Sequence, residues 1–294
     1  MTASSVSASR IVLLGTAGGP AIQDNGQRRG PASAFVVGKD IYLVDAGEGV
    51  SRRLLEAGLS PADVRAVFIT HHHFDHNSDL GSVLGHAWFA RRTVPMTVVG
   101  PEFTRQYCMG FQVSQELDFR VRHSSEGKVP FWPLLTVHEF SVMDCVRSGT
   151  VVYEDDNVRV SAVAVSHGVM PSVGYRIVSR DRDVAFSGDR GGGDSFEAFA
   201  RDADTLVHEA ILYDRIEERF RRAGVNSEVL AHLQGDHMGP PAVARTAAES
   251  GVGRLVINHL VPGDAGEVAE SEWADSFDGL FSGEVLIGRD LLDV

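Results

Sequence analysis

A run of histidine and aspartate side chains directly follows an apolar stretch of the chain, Val64–Ile69. Within six residues it offers four potential metal ligands, His71, His73, Asp75 and His76. Because the preceding stretch is β-branched and apolar, it predicts a buried strand whose carboxyl end opens into a ligand-bearing loop. Alternation along extended backbone predicts that His71 and His73 hold one ion, while Asp75 and His76 turn back to hold a second. The intervening His72 then points away.

Three further candidate ligands lie downstream, each at the end of an apolar run: His167, Asp189 and His259. Together with the first cluster they predict one ion held by His71, His73 and His167. The second ion is then held by Asp75, His76 and His259, and Asp189 bridges the two. Imidazole and carboxylate ligands suit Zn²⁺ best, and Mn²⁺ or Fe²⁺ accept the same donors. Two divalent ions about 3.5–4 Å apart share a hydroxide and neutralise charge on the attacked centre, so the set predicts a binuclear metal-dependent hydrolase.

Over nearly its whole length the chain resembles the metallo-β-lactamase superfamily, and within it the ribonuclease Z and arylsulfatase-like branches. The resemblance rests on the ligand cluster and on three amino-terminal segments, Leu13–Pro20, Arg29–Ser33 and Val44–Val50. It implies that Asp45 accepts a hydrogen bond from a ligand histidine, because a ligating imidazole needs its other N–H held.

Two further motifs resemble ribonuclease Z with departures. Leu206–Ala210 is similar to a His-Glu-Ala-Thr motif, although Ile211 replaces the threonine. His237 matches the position of a catalytic histidine, although the family's following Ser-Thr pair is Met-Gly here. The resemblance implies that Glu209 orients His237, which donates a proton to the leaving group. The predicted catalytic residues are therefore Asp75, His237 and Glu209.

The resemblance also implies an αββα sandwich of the α+β class, with two packed mixed β-sheets and helices on the outer faces. Strand-like and helix-like runs agree with it, and residues 1–294 are expected to form a single domain. The segment 101–150 is an exception, because its many aromatic residues show no clean periodicity. It is interpreted as an aromatic insertion, and three roles remain open: a lid over the metals, a small core of its own, or a dimer contact.

Charge and composition shape the expected partners. The net charge is −13, with 27 basic and 40 acidic residues, and basic residues are no more than paired along the chain. Such a surface argues against nucleic acid as a partner, since a long polyanion is repelled. The short segment between His167 and Asp189 also leaves no room for the long tRNA-gripping arm that many ribonuclease Z enzymes carry there. A small-molecule substrate is expected instead.

The sequence also gives expectations for cellular location, the state of the cysteines and the oligomeric state. No apolar run reaches the length that spans a bilayer and no signal peptide is evident, so a cytoplasmic protein without a membrane partner is expected. Cys108 and Cys145 are expected to be free thiols. A homodimer is expected.

A metal centre of this kind is compatible with several reactions. The main expectation is hydrolysis of a small ester-like molecule, an aryl sulfate, a phosphodiester or a lactone. The alternatives are a ribonuclease Z-like RNA phosphodiesterase, a hydrolytic dehalogenase and a single-iron persulfide dioxygenase-like enzyme. A diiron redox protein of this fold would carry Glu in place of His73, which argues against that class. Fold resemblance does not choose among the substrates.

Overall fold

The computed structural model describes residues 8–22, 28–90, 92–145, 149–225 and 227–294. Two seven-stranded sheets form the centre of the molecule. The first contains β1 (Arg10–Gly15), β2 (Ala32–Val37), β3 (Asp40–Val44), β4 (Val64–Phe68), β5 (Met96–Gly100), β6 (Leu135–Glu139) and β14 (Leu292–Asp293). The second contains β7 (Thr150–Glu154), β8 (Arg159–Val165), β9 (Ser172–Val178), β10 (Asp183–Phe186), β11 (Thr205–Ile211), β12 (Arg254–Val261) and β13 (Glu284–Ile287).

Both sheets contain parallel and antiparallel strand pairs. In each sheet, four consecutive parallel strands lie at one end of the strand order. In the first sheet the order is β14-β1-β2-β3-β4-β5-β6, and β3 to β6 are parallel neighbours. In the second the order is β13-β12-β11-β10-β9-β8-β7, and β10 to β13 are parallel. The carboxyl ends of parallel strands meet at one edge of a sheet, so the loops that follow β4, β10, β11 and β12 can share a site.

Helices cover the outer faces. On the first sheet lie α1 (Val50–Glu56), α3 (Leu80–Phe89) and α4 (Thr104–Glu126), and the short α2 (Phe74–Asn77) lies within the ligand loop. On the second lie α5 (Phe196–Phe199), α8 (Pro240–Ser250) and α9 (Glu270–Asp275), with α6 (Tyr213–Ala223) and α7 (Ser227–Asp236) packed together. The predicted αββα sandwich of the α+β class is confirmed.

Strand β1 shows how the sequence specifies this layering. Successive side chains of a strand point to opposite faces. Ile11 and Leu13 enter the core between the sheets, whereas Val12 and Leu14 pack under the helices of the outer face. All four are essentially buried. Burial of each stabilises the fold by about 1.5–3 kcal/mol, which explains why the strand is a continuous apolar run without polar alternation.

Helix α8 begins and ends at residues that favour a helix start and a helix end. It begins with Pro240 and Pro241 in its first turn, where the missing N–H groups have no intrahelical partner to lose. It ends at Gly251, whose φ of 68° is the left-handed conformation that glycine adopts without strain.

The segment 101–150 is more regular than its sequence indicated. It contains the 23-residue helix α4, and β6 extends the edge of the first sheet. The rings of Phe119 and Phe131 stack with centroids 4.4 Å apart, and Trp88 of α3 lies 4.8 Å from Phe119. These rings therefore enlarge the core under the helices of the first sheet instead of covering the ligand cluster. Cys108 and Cys145 are both free and buried, as expected.

Candidate metal centre

The predicted ligands converge at the carboxyl-terminal edge of both sheets. His71 and His73 follow β4, whereas Asp75 and His76 lie on α2. His167 follows β8, Asp189 follows β10 and His259 lies on β12. Each of the two predicted ligand triplets has its donor atoms within 4.8 Å of one another. The structure thus brings together, from four separate segments, all seven residues that the sequence predicted as ligands.

The first triplet consists of His71, His73 and His167. The Nδ1 atom of His73 lies 3.0 Å from His71 Nε2 and 3.1 Å from His167 Nε2. Burial lowers the pKa of all three rings, and that of His71 well below its ordinary value. Neutral imidazoles that converge in this way present lone pairs to one point, which is the state that metal ligation requires.

The second triplet consists of Asp75, His76 and His259. Asp75 Oδ2 lies 3.3 Å from His259 Nε2 and 3.6 Å from His76 Nε2. Burial acts to lower the pKa of His76, but the carboxylates of Asp189, Asp45 and Asp75 outweigh it and raise that pKa well above its ordinary value. This corner of the centre therefore attracts positive charge.

Asp189 lies between the two triplets. Its Oδ2 is 3.1 Å from His259 Nε2 and 3.3 Å from His76 Nε2 in the second triplet. The same atom is 3.9 Å from His71 Nε2 and 4.0 Å from His167 Nε2 in the first. Burial acts to raise the pKa of Asp189, but the nearby histidines, His259 foremost, lower it well below its ordinary value. An ionised carboxylate in this position can contact a cation in either triplet.

Hydrogen bonds behind the ligands fix their orientation. Asp45 Oδ2 accepts from His76 Nδ1 at 2.8 Å, and Asp45 Oδ1 accepts from the Thr70 N–H at 2.8 Å. The Thr70 hydroxyl donates to Asp45 and lies 3.0 Å from His71 Nδ1. The carbonyl of Asp236 accepts from His167 Nδ1 at 2.8 Å. Such bonds set the tautomer, leaving Nε2 of His71, His76 and His167 to face the centre.

The backbone is strained at two of these positions. Asp45 has a φ of 62° and His259 a φ of 43°, in the left-handed region that non-glycine residues rarely adopt. The pairing of β11 with β12 shifts register at His259, because Glu209 pairs with Asn258 and Ala210 with Leu260. A bulge of this kind re-aims one side chain, and here it turns His259 into the centre.

His72 points away from the centre, as predicted. Its Nε2 lies 2.9 Å from the Thr104 hydroxyl, which itself donates to the Pro101 carbonyl, and its Nδ1 lies 3.1 Å from Asn77 Nδ2. His72 therefore links the ligand loop to the start of α4.

Glu209 and His237 form a pair beside Asp189. Glu209 Oε2 lies 3.1 Å from His237 Nδ1, and Oε1 accepts from the backbone N–H of Met238 at 3.1 Å and of Arg190 at 3.3 Å. Burial acts to lower the pKa of His237, but the charge and hydrogen bond of Glu209 dominate and raise it to about 9. A protonated imidazole held in this way can donate a proton.

Sequence analysis did not identify two residues, Arg190 and Tyr213, that lie near the Glu209–His237 pair. Arg190 is fully buried, with its guanidinium bound to Asp194 and Glu197 and its Nη1 3.4 Å from His208 Nε2. Tyr213 donates its hydroxyl to the His237 carbonyl at 2.6 Å. The sequence did contain an indication of Arg190, because this residue directly follows the candidate ligand Asp189 at the end of a buried strand. Of the other histidines, His232 is exposed and paired with Asp236.

The donor set fits divalent cations. Several buried side-chain atoms of the described residues lack a hydrogen-bond partner, and three of them belong to candidate ligands: His76 Nε2, Asp189 Oδ1 and His259 Nδ1. A buried polar atom left unsatisfied costs about 1–3 kcal/mol, a cost that ligation to a cation would remove. Imidazole nitrogens and carboxylate oxygens are the donors that zinc and neighbouring transition metals accept.

Comparison with known proteins gives the family. The sequence profile described as Metallo-beta-lactamase superfamily matches residues 27–230. A ribonuclease Z of Mycobacterium bovis is 31% identical over 287 residues, covering 96% of both chains. A ribonuclease Z of Mycobacterium marinum is 32% identical over 288 residues, again covering 96% of both. The short form of human tRNase Z superposes with a TM-score of 0.69 at 21% identity, covering 97% of this chain and 98% of that one.

These relatives correct one prediction. The net charge of −13 led to the expectation that nucleic acid is not a partner, and this is wrong, because the relatives named above are ribonuclease Z enzymes, which act on RNA. Net charge averages over the whole surface and does not describe the local field at a cation-binding edge. A separate finding concerns membranes: within the described ranges, no helix has the length and apolar character needed to cross a bilayer.

Proposed function

The chain belongs to the metallo-β-lactamase superfamily, whose fold binds divalent metals, and we propose that it is a two-metal phosphodiesterase that cleaves RNA. One observation carries the proposal: Asp189 Oδ2 lies 3.1–4.0 Å from histidine nitrogens of both candidate ligand triplets, and the Glu209–His237 pair lies beside them. The ribonuclease Z relatives favour RNA over the aryl sulfates and lactones considered from sequence.

Each ion has its own ligands in this proposal. His71, His73 and His167 would hold one, Asp75, His76 and His259 would hold the other, and Asp189 would contact both. Zn²⁺ suits these donors best. When bound, the ions would activate water and neutralise charge on the phosphate. Four positive charges at this edge would also offset, locally, the repulsion between RNA and an acidic protein.

The chain's own residues would then move the protons. Asp75 Oδ2 is held by the Gly19 N–H at 3.0 Å and, although burial acts to raise its pKa, His76 and His259 hold that pKa below its ordinary range. An ionised Asp75 can accept a hydrogen bond from the attacking water and orient it. His237, protonated through Glu209, can supply a proton to the leaving oxygen, so Asp75 positions the nucleophile and His237 acts as the acid.

Glu209 acts through geometry as well as charge. Its Oε1 is occupied by two backbone N–H groups, so only Oε2 is left for His237. One of those N–H groups belongs to Arg190, the residue after Asp189. The bridging aspartate and the proton donor are therefore positioned by the same carboxylate.

The test is a substrate panel with metal-loaded protein. A precursor tRNA with a 3′ trailer, bis(4-nitrophenyl) phosphate, 4-nitrophenyl sulfate and a lactone are compared by kcat/KM. The proposal expects cleavage of the precursor, with Asp189→Asn inactive and Asp156→Asn, an exposed acidic control, unchanged. Turnover of the sulfate or lactone with the precursor left intact would refute the proposal.

A further inference from the structure

A small cavity of about 210 Å³ opens beside the second ligand triplet. Asp75 forms part of its wall, so its interior adjoins the metal centre. The rest of the wall is mainly apolar and includes Pro20, Ile22 and Phe74. None of its apolar side chains belongs to the ligand set, and the mechanism above does not use the cavity.

Phe74 occupies an unusual position for a large apolar residue. It lies between the ligands His73 and Asp75 and is 69% exposed. Burying a phenylalanine is worth about 1.5–3 kcal/mol, so an exposed ring forgoes that stabilisation. Phe74 begins α2 and lines the cavity instead of packing into the core. Ile22, 71% exposed, faces the same space.

The size and chemistry of the cavity restrict its occupant. Its volume lies below the range of about 300–1,000 Å³ that is typical for drug-sized ligands, so it suits a single ring system. Its charged wall residues are already engaged: Glu48 pairs with Arg29, Asp79 accepts from the Gly49 N–H at 2.9 Å, and Arg28 donates to the Gly288 carbonyl at 2.8 Å. An apolar ring face with polar edges is therefore favoured over a charged group.

Resting on the proposed RNA phosphodiesterase activity, we propose that this cavity binds the nucleobase of a nucleotide flanking the scissile phosphate, with Phe74 as its stacking surface. Asp75 is shared by the metal centre and the cavity, which places the cavity within reach of a nucleotide whose phosphate lies on the metals. Bases stack on aromatic side chains with little sequence preference. A base can enter only when unpaired, so the RNA must be single-stranded at the cleavage site.

The test combines variants of Phe74 with RNA that lacks single bases. Stacking of one base on an aromatic ring raises the binding affinity roughly 5- to 150-fold. We expect Phe74→Ala to lower kcat/KM for intact RNA by that factor, and Phe74→Tyr to retain activity. An abasic nucleotide at one flanking position should lower wild-type kcat/KM by a similar factor and cause no further loss in Phe74→Ala.

Two controls separate stacking from damage to the metal loop. Phe89→Ala removes a ring that is 54% exposed and lies 4.5 Å from Lys128 Nζ, outside the cavity, and should leave kcat/KM unchanged. Phe74→Leu keeps an apolar side chain without a ring and should lose activity like Phe74→Ala, with metal content equal to that of the wild type.

The outcomes are distinguishable. If wild-type protein cleaves RNA but Phe74→Leu matches it, or if Phe74→Ala loses activity equally on intact and abasic RNA, the stacking role is wrong and the phosphodiesterase assignment stands. If wild-type protein cleaves no RNA at all, the proposed function fails and this inference fails with it.

Discussion

Glu209 holds His237 by two routes: Oε2 lies 3.1 Å from the ring Nδ1, and Oε1 accepts from the adjacent Met238 N–H at 3.1 Å. The carboxylate thus fixes both the ring and the backbone that carries it. This arrangement orients Nε2 for proton donation and stabilises the protonated ring, as the acid role requires.

His237→Ala should retain the metals and lose turnover by roughly 10²–10⁴-fold, the usual size of a proton-transfer contribution. The loss should shrink when the leaving group is 4-nitrophenolate, which needs no proton. The measurement is kcat for phosphodiesters with leaving groups of graded pKa. An equal loss across the series would remove His237 as the acid.

Glu209→Gln should narrow the pH range of activity. The charge of Glu209 raises the pKa of His237 against the opposing effect of burial. An acid must be protonated to act, so activity is lost as pH rises through that pKa. Without the charge the pKa falls, and the alkaline limb of the kcat/KM profile should move to lower pH. An unmoved limb would contradict the coupling.

Asp45→Asn should weaken metal binding by about 10- to 100-fold, because the bond that orients His76 loses its charged acceptor. Asparagine tolerates the positive φ of 62° at this position, so the backbone need not change. Competition with a chelator measures the affinity, and Asp156→Asn serves as the exposed control. Equal affinities in the two variants would show that Asp45 has no such role.

His208 should contribute to acid sensitivity. Burial, together with the charge of Arg190, lowers its pKa to about 4. The unfolded chain takes up this proton near pH 6.5 but the folded chain does not, so stability falls as pH drops from about 6.5 to 4, by at most about 1.4 kcal/mol per pH unit.

The corresponding variant is His208→Gln, which has no ionisable group. Its free energy of unfolding should depend less steeply on pH than that of the wild type between about pH 4 and 6.5. Urea unfolding of both metal-free proteins across that window measures the slope. Identical slopes would show that His208 is protonated equally in the folded and unfolded states.

The convergence of the candidate ligands could be predicted because its signal is local: donor residues follow apolar strands, and parallel strands bring their ends together. Helix α4 could not. Phe111 and Phe119 face the core, but Met109, Val113 and Leu117 on the opposite side are also apolar and are exposed. Apolar residues on both sides of a helix remove the 3.6-residue period on which recognition depends.

The expectation that nucleic acid is not a partner failed because a sum over the sequence discards position. Charge counting treats Asp45, Asp75, Asp189 and Glu209 as surface anions, yet all four are buried. Arg190 neutralises Asp194 and Glu197 inside the protein. Neither these pairings nor the cation-attracting edge around His76 can be read from composition.

The most direct test of the two-metal proposal is the number of divalent ions bound per chain, measured by elemental analysis of purified protein at saturation. We expect two ions in the wild type. We expect fewer, with loss of turnover, in Asp189→Asn, because Asp189 Oδ2 lies 3.1–4.0 Å from histidines of both triplets. A wild type that saturates with one ion and is fully active would contradict the proposal.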